Sequence, residues 1–132
     1  MNLPNLSCEI EAYCSINPSE DPIKIEKAVS NILSNCEIKK TKFSISAYSK
    51  DLQSLEKIFE TIKSNQSQKI YNRNLQKNFE TNSTWIYLNK QAALVDTVVI
   101  CEYAEESPLG PIKLILSSKR IEEIIEWLTS KN

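Results

Sequence analysis

Histidine is absent from this chain of 132 residues, and glycine occurs only once, at Gly110. Without histidine the chain has neither a Ser-His nor a Cys-His nucleophile pair, and a single glycine cannot form a glycine-rich phosphate loop. The acidic pairs Glu105-Glu106 and Glu122-Glu123 are conceivable carboxylate pairs, but sequence neighbours of this kind usually contribute surface charge. We therefore predict that the protein is not an enzyme and has no cofactor.

The chain has four cysteines, none of them in a CxxC pair: Cys8, Cys14, Cys36 and Cys101. A tetrahedral zinc site would have to combine four scattered thiolates, so we predict no metal site. Cys8 and Cys14 fall on one predicted strand, roughly 20 Å apart, which is too far for a disulfide bond. We interpret the cysteines as buried, reduced thiols of a cytosolic protein.

No apolar run approaches the ~18 residues of a membrane span, and no charged segment precedes an apolar one as in a signal peptide. We expect a cytoplasmic protein without membrane contact, and the length fits a single domain over residues 1–132. The net charge of −1 divides into −3 over residues 1–35, +5 over 36–90 and −3 over 91–132. The basic middle segment would bind a polyanion if folding gathers its lysines on one face, and otherwise forms a solvated helix face.

The firmest structural pattern is a strict alternation of apolar and polar residues from Leu6 to Ile16, which predicts a half-buried strand. Asp21 and Pro22 then suit the cap and the first position of a helix. Residues 36–48 predict a second strand with a turn or bulge at Lys39-Lys40, and Ser49 is a candidate cap for the next helix.

The remaining pattern predicts helices up to about Asn78, strands over 84–88, 97–103 and 112–116, and a closing helix capped by Ser117 or Ser118. A short turn or single helical turn is predicted over 89–94. Gly110 indicates a backbone position with positive φ in a tight turn. The order β-α-β-α-α-β-β-β-α predicts an α+β fold of two layers, with a largely antiparallel sheet and its helices on one face.

The strand containing Trp85 and Tyr87 is apolar on both faces, as is the strand that leads to Tyr103. Helices on one side of the sheet would leave the other side needing cover, and exposed apolar sheet surface usually marks an interface. We infer a homodimer, or a surface on which a ligand stacks, with these three aromatic residues as candidates. The acidic outer face of the first strand would repel RNA if it lies on the same sheet surface.

Two groups of polar residues are candidates for nucleic-acid binding. Lys69, Arg73 and Lys77 share one helix face, and the planar guanidinium of arginine suits phosphate, although Arg73 could instead pair with an acid such as Glu80. Asn89-Lys90-Gln91 at a strand end offers two amides and one mobile cation. The alternative is that the two amides hold their own turn and the lysine is solvated.

Three segments carry a resemblance to a known family: Asn17-Pro18-Ser19-Glu20-Asp21-Pro22, Leu88-Asn89-Lys90-Gln91-Ala92-Ala93 and Leu109-Gly110-Pro111-Ile112. Their order and spacing resemble the archaeal uncharacterised protein family 0201 over nearly the whole chain. Arg73 also stands where that family has an arginine. Ser19 departs from the usual threonine, and the glycines that the family carries around the central strand are absent.

The resemblance implies a fold similar to the large-subunit ribosomal protein that holds 5S RNA. Members of the family are described as predicted RNA-binding proteins with a proposed tie to the archaeal exosome. For this chain the resemblance implies a non-catalytic role in RNA binding or RNA metabolism, with RNA and a protein of RNA processing as partners. The rival hypothesis is a homodimeric protein–protein scaffold that binds no nucleic acid.

Overall fold

The computed structural model describes residues 1–131. Its strands are β1 (Glu9–Ser15), β2 (Glu37–Lys40), β3 (Ser44–Ser49), β4 (Ser83–Leu88), β5 (Ile100–Cys101) and β6 (Ile112–Ser117). Its helices are α1 (Pro22–Ile32), α2 (Glu56–Ser64), α3 (Gln68–Lys77), α4 (Lys90–Leu94) and α5 (Ile121–Leu128). Two short 3-10 turns cover Leu52–Leu55 and Ala104–Glu106.

The strands form one sheet in the order β2-β3-β1-β6-β4-β5, and every neighbouring pair is antiparallel. Alternate residues of the strands point to the helices and are buried with them in one core, as Ile10, Ala12 and Cys14 of β1 show. The predicted α+β fold, with two layers and an antiparallel sheet, is therefore confirmed. The similarity to the ribosomal protein stays a prediction.

Local sequence signals account for the first two elements. The alternation in β1 is confirmed, because its outward positions are exposed or half-buried while its inward positions are buried. At the start of α1, the Asp21 carboxylate accepts a hydrogen bond from the Ile23 amide at 3.0 Å, and Pro22 occupies the first helical turn. Both the cap and the proline position were predicted correctly.

The segment after α1 differs from its prediction. Residues 36–48 form two strands, β2 and β3, and the turn lies at residues 41–43 instead of at Lys39-Lys40. The prediction that Ser49 caps a helix is wrong, because Ser49 is still paired in the sheet with Ile10. Asp51 provides the cap, since its carboxylate accepts a hydrogen bond from the Gln53 amide at the start of the 3-10 turn.

The strand predicted over 97–103 is reduced to the two residues of β5. Before it, the Thr97 amide donates to the Ala92 carbonyl at 2.9 Å, so the chain is still closing the turn of α4. After it, the Glu102 amide donates to the Glu106 carboxylate at 3.1 Å. Local hydrogen bonds therefore take the backbone groups that a longer strand would have offered to β4.

The second face of the sheet, which we call the open face, carries no helix in the structure of residues 1–131. Its central members pair side by side across three strands: Glu11 on β1, Ile115 on β6 and Trp85 on β4. The next row contains Tyr13, Lys113 and Tyr87 in the same strands. The acidic residues of β1 thus share a surface with the aromatic residues of β4.

Three of the four cysteines are buried, and all four are free thiols. Burial raises the pKa of the Cys8 and Cys14 thiols to about 11, so both remain protonated at neutral pH. Within residues 1–131, none of the helices has the length and apolar character that crossing a bilayer requires. The cytoplasmic location stays a prediction.

Candidate nucleic-acid interface

Three cations of α3 lie along one exposed side of the helix, and we call them the basic stripe: Lys69, Arg73 and Lys77. Tyr71, Asn74 and Leu75 face the other way and are buried, which fixes the orientation of the helix. The spacing of four residues places the three cations on one face, as the sequence predicted. Their mutual repulsion is relieved only where an anion comes near.

Arg73 forms no internal ion pair in the structure of residues 1–131. Its guanidinium also makes no hydrogen bond or ring contact there, so the pair with Glu80 that the sequence left open does not occur. The Lys69 ammonium is likewise exposed and without a partner among those residues. Two cations of the basic stripe therefore present all their hydrogen-bond donors to solvent.

Tyr103 lies beside the basic stripe, separate from the other two aromatic candidates. The Lys77 Nζ atom is 5.3 Å from the centre of the Tyr103 ring, and the side chain is 54% exposed. Lys77 also lies 3.8 Å from the Glu102 carboxylate, which offsets part of its charge. The stripe thus combines cations with one accessible aromatic face, the combination that single-stranded nucleic acids use for stacking and backbone contact.

Asn89 and Gln91 hold the loop in which they lie. The Asn89 side chain accepts a hydrogen bond from the Ala92 amide at 2.9 Å and caps α4. The Gln91 side chain donates to the Pro108 carbonyl at 3.4 Å. These contacts correspond to the structural alternative that the sequence left open, in which the two amides fix a turn.

The sequence analysis described Lys90 as a mobile cation or as a solvated one, and both descriptions are wrong. It is fully buried, with 0% of its surface exposed. Its Nζ atom donates to the Ser15 carbonyl, the Leu109 carbonyl and the Glu20 carboxylate, each at 2.9 Å. An ammonium group has three hydrogens, so no donor is left for a phosphate in this conformation.

Glu20 is the counter-charge of Lys90, and its side chain is only 6% exposed. Burial by itself would raise the pKa of this carboxyl group. Hydrogen bonds from the Asn17 amide, the Asn17 side chain and the Lys90 ammonium outweigh burial, so the pKa lies below its ordinary value. The Glu20 carboxyl group is therefore ionised at neutral pH.

The loop before β6 is bent so that its carbonyl groups reach Lys90. Leu109 has a positive φ of 65° and Gly110 one of 94°, which confirms the backbone demand predicted at the single glycine. The Leu109 carbonyl accepts hydrogen bonds from Lys90 and, at 2.8 Å, from the Asn17 side chain. The Ser107 hydroxyl accepts from the Lys90 amide and donates to the Gly110 carbonyl, each at 3.0 Å.

Trp85 and Tyr87 are half-buried neighbours on the open face, with ring centres 4.8 Å apart. The Lys113 Nζ atom lies 4.6 Å from the centre of the Trp85 ring, much as Lys77 lies over Tyr103, but Trp85 is half-buried whereas Tyr103 is exposed. Glu11 stands in the same row as Trp85. The acidic residue and the partial burial of the rings both make this face less suited to an RNA strand than the basic stripe.

Comparisons with known proteins agree on one family. A family model described as RNA binding matches residues 9–118. The UPF0201 protein of Sulfurisphaera tokodaii is 33% identical over 120 residues, covering 88% of this chain and 83% of that protein. The UPF0201 protein of Methanothermobacter thermautotrophicus is 31% identical over 120 residues, covering 91% of this chain and 89% of that protein.

The chain belongs to the UPF0201 family. The crystal structure of a UPF0201 protein from Methanococcus jannaschii has the same fold, with a TM-score of 0.79 and 24% identity over 94% of each chain. This agrees with the family resemblance inferred from the sequence.

The three sequence segments on which the family resemblance was drawn meet at the ammonium group of Lys90. Glu20 comes from the first segment, Lys90 from the second and the Leu109 carbonyl from the third. The end of β1, the end of β4 and the start of β6 all lie at one edge of the sheet, because these strands are antiparallel neighbours. The sequence analysis did not predict that these three segments lie together. The order of β1, β6 and β4 in the sheet is the information that it lacked.

Proposed function

We propose that this UPF0201 chain is a non-catalytic RNA-binding protein and that it contacts RNA through the basic stripe and Tyr103. The observation that carries the proposal is the pair of exposed cations on α3, Lys69 and Arg73, which have no partner within residues 1–131. The match to a family described as RNA binding supports the same ligand. In this proposal the cations bind phosphates and the Tyr103 ring stacks on a base.

Lys90, Asn89 and Gln91 have a supporting role in this proposal. Their contacts hold α4 and the loop before β6, so they act on the shape of the protein and not on the ligand. Among the candidates that the sequence predicted, the open donors that remain for phosphate belong to the basic stripe. This assignment leaves Lys69, Arg73 and Lys77 as the nucleic-acid contacts from the original set of candidates.

The test is a fluorescence-anisotropy titration of labelled single-stranded and duplex RNA with the wild type and the Lys69→Ala, Arg73→Ala double variant. We expect binding that weakens with salt, and a slope against log salt that falls by about 1.4 in the variant for single-stranded RNA, because two phosphate contacts are lost. The Lys24→Ala, Lys27→Ala double variant is the matched control, since it removes two exposed lysines of α1. Absence of wild-type binding at low salt, or equal losses in the two variants, would overturn the proposal.

A second candidate function is homodimerisation through the open face. The specific observation in its favour is that no helix of residues 1–131 covers the apolar neighbours Ile115 and Trp85 of this face, or Tyr13 and Tyr87 in the next row. A two-fold contact would bring the same face of two copies together and cover this apolar surface, so a second copy of the chain is the partner that we propose.

A protein partner in RNA processing, which the family resemblance implies, stays a prediction. The basic stripe and the open face lie on different layers of the fold, since one belongs to a helix and the other to the uncovered side of the sheet. RNA binding at α3 is therefore compatible with self-association through the sheet. The two proposals can be tested independently.

A further inference from the structure

A cleft of about 720 Å³ lies at the end of the sheet opposite to Lys90. Its floor is the segment that leads into β1, residues 5–8, and its walls are the residues that follow β3 and β6. Because β1 runs antiparallel to both neighbours, its start meets their ends at this edge. The Ser118 hydroxyl donates to the Ser7 carbonyl at 2.6 Å and fixes one wall to the floor.

The cleft has a positive lining. Lys50 stands on one side, and Lys119 and Arg120 stand on the other, while Glu9 is the one carboxylate. The Glu9 carboxylate accepts a hydrogen bond at 2.7 Å from the Tyr48 hydroxyl, which holds it on the open face. Arg120 is paired with Glu123, which lies outside the lining, so Lys50 and Lys119 against Glu9 leave the cleft with an excess of positive charge that attracts anions.

The two lysines of the cleft contact no partner group within the part of the chain that the structure describes. Lys50 and Lys119 are exposed, and neither ammonium group makes an ion pair, hydrogen bond or ring contact there. Arg120 is different, because its guanidinium is paired with the Glu123 carboxylate. Two cations that line the same cleft and lack acidic partners are suited to bind one anionic group there.

We propose that this cleft binds phosphodiester groups of an RNA strand, as a second contact apart from the basic stripe. This inference rests on the proposed function, since it takes RNA as the ligand. A pocket for a small molecule would be largely apolar and would enclose its ligand. This cleft is open and about half of its lining is polar, with the Asn5 amide and the Ser7 hydroxyl as further donors, which suits a nucleic-acid backbone that passes through it.

The experiment compares four proteins in titrations with a labelled single-stranded uridine oligonucleotide at about 50 mM and about 200 mM salt. They are the wild type, the cleft variant Lys50→Ala, Lys119→Ala, the stripe variant Lys69→Ala, Arg73→Ala, and the control Lys24→Ala, Lys27→Ala. Each variant removes two exposed cations that have no partner among residues 1–131, so the change in net charge is the same. Circular dichroism verifies that each variant is folded.

We expect the cleft variant to bind the oligonucleotide on the order of tenfold more weakly than the control at low salt, with a reduced salt slope. In two-dimensional NMR spectra, the oligonucleotide should shift the amide signals of Ser7 and of residues 117–120 in the wild type. If the cleft variant binds like the control while the stripe variant is weakened, the cleft proposal is overturned and the proposed function stands. If the wild type binds no RNA, both are overturned.

Discussion

Lys90 places a strict demand on the fold, because a fully buried ammonium group is unfavourable unless all its hydrogens are bonded. Here the Ser15 carbonyl, the Glu20 carboxylate and the Leu109 carbonyl supply those bonds. Removing one member of a buried ion pair leaves an uncompensated charge, which costs about 3–5 kcal/mol. We therefore expect Lys90→Met to lower the free energy of unfolding by that amount in urea denaturation.

The control for this prediction is Lys27→Met on the exposed side of α1, which should change stability by less than about 0.5 kcal/mol. The Lys90→Met, Glu20→Gln double variant should recover part of the loss, because it removes the lone buried carboxylate. If Lys90→Met were as stable as the control, Lys90 would not hold the three segments together.

We expect Glu20 to make the free energy of unfolding depend on pH in the acidic range. Its folded pKa is lowered, so the stabilisation from its ionised form is present above the unfolded pKa of about 4.3 and is lost as pH falls through the folded value. The difference in free energy of unfolding between the wild type and Glu20→Gln should therefore shrink as pH falls from neutral to acidic. Urea denaturation across that range measures it, and a constant difference would show that the carboxyl is not ionised in the fold.

Gly110 occupies a backbone conformation that other residues rarely adopt, with φ at 94°. A Cβ atom there would also lie 3.2 Å from the Ser15 hydroxyl oxygen. We expect Gly110→Ala to destabilise the protein by about 1–3 kcal/mol in urea denaturation. Adding Ser15→Gly removes the steric contact but not the backbone strain, so it should recover only a minor part. Full recovery would assign the effect to crowding instead.

Among the elements, prediction succeeded where the signal is local. The alternation of β1 and the cap of α1 are each contained in a few consecutive residues, and both appear as expected. The shortening of β5 was not predictable in the same way, because it depends on the bond from the Thr97 amide to the Ala92 carbonyl in the preceding turn. A run of β-branched residues indicates a strand only while its backbone groups are free to pair.

In the candidate site, too, only the features with a local sequence signal were predictable. The stripe on α3 follows from helical spacing, so its three cations could be placed from the sequence alone. The burial of Lys90 could not, because its carboxylate partner lies 70 residues away in the chain. Sequence alone placed a cation at a strand end, where exposure is the ordinary expectation. Only the order of the strands brings Glu20 to that end.

Two side-chain hydrogen bonds attach α3 and its C-terminal end to β4. The buried Thr84 hydroxyl donates to the Leu75 carbonyl at 2.6 Å, and the Asn78 side chain donates to the Trp85 carbonyl at 2.9 Å. Thr84→Val keeps the shape of the side chain but removes the first bond, at a cost of about 1–3 kcal/mol. Hydrogen exchange should accelerate in α3 more than in β1, whereas Ser64→Ala, at an exposed helix position, should leave both unchanged. Equal acceleration in α3 and β1 would mean that the bond does not act locally.

Within residues 1–131 the sheet has helices on one face only, and this asymmetry carries the proposal of a homodimer. Ile115 is the sharpest probe, because it lies on β6 between Glu11 and Trp85 of the adjacent strands. A lysine at this position has Glu11 beside it in the monomer, so the Ile115→Lys variant should still fold. In a face-to-face dimer the same cation would be buried, which is unfavourable by several kcal/mol.

We therefore expect the wild type to sediment as a dimer and Ile115→Lys to sediment as a monomer, with the dissociation constant raised by about a hundredfold or more. Ile23→Lys is the matched control, since Ile23 is a 75% exposed isoleucine on α1, away from the open face. The Ile23→Lys variant should remain a dimer.

A wild type that stays monomeric at high protein concentration would contradict the dimer proposal, and equal dissociation of both variants would place the interface elsewhere. RNA binding by α3 would be unaffected by either outcome, because the basic stripe belongs to the other layer of the fold.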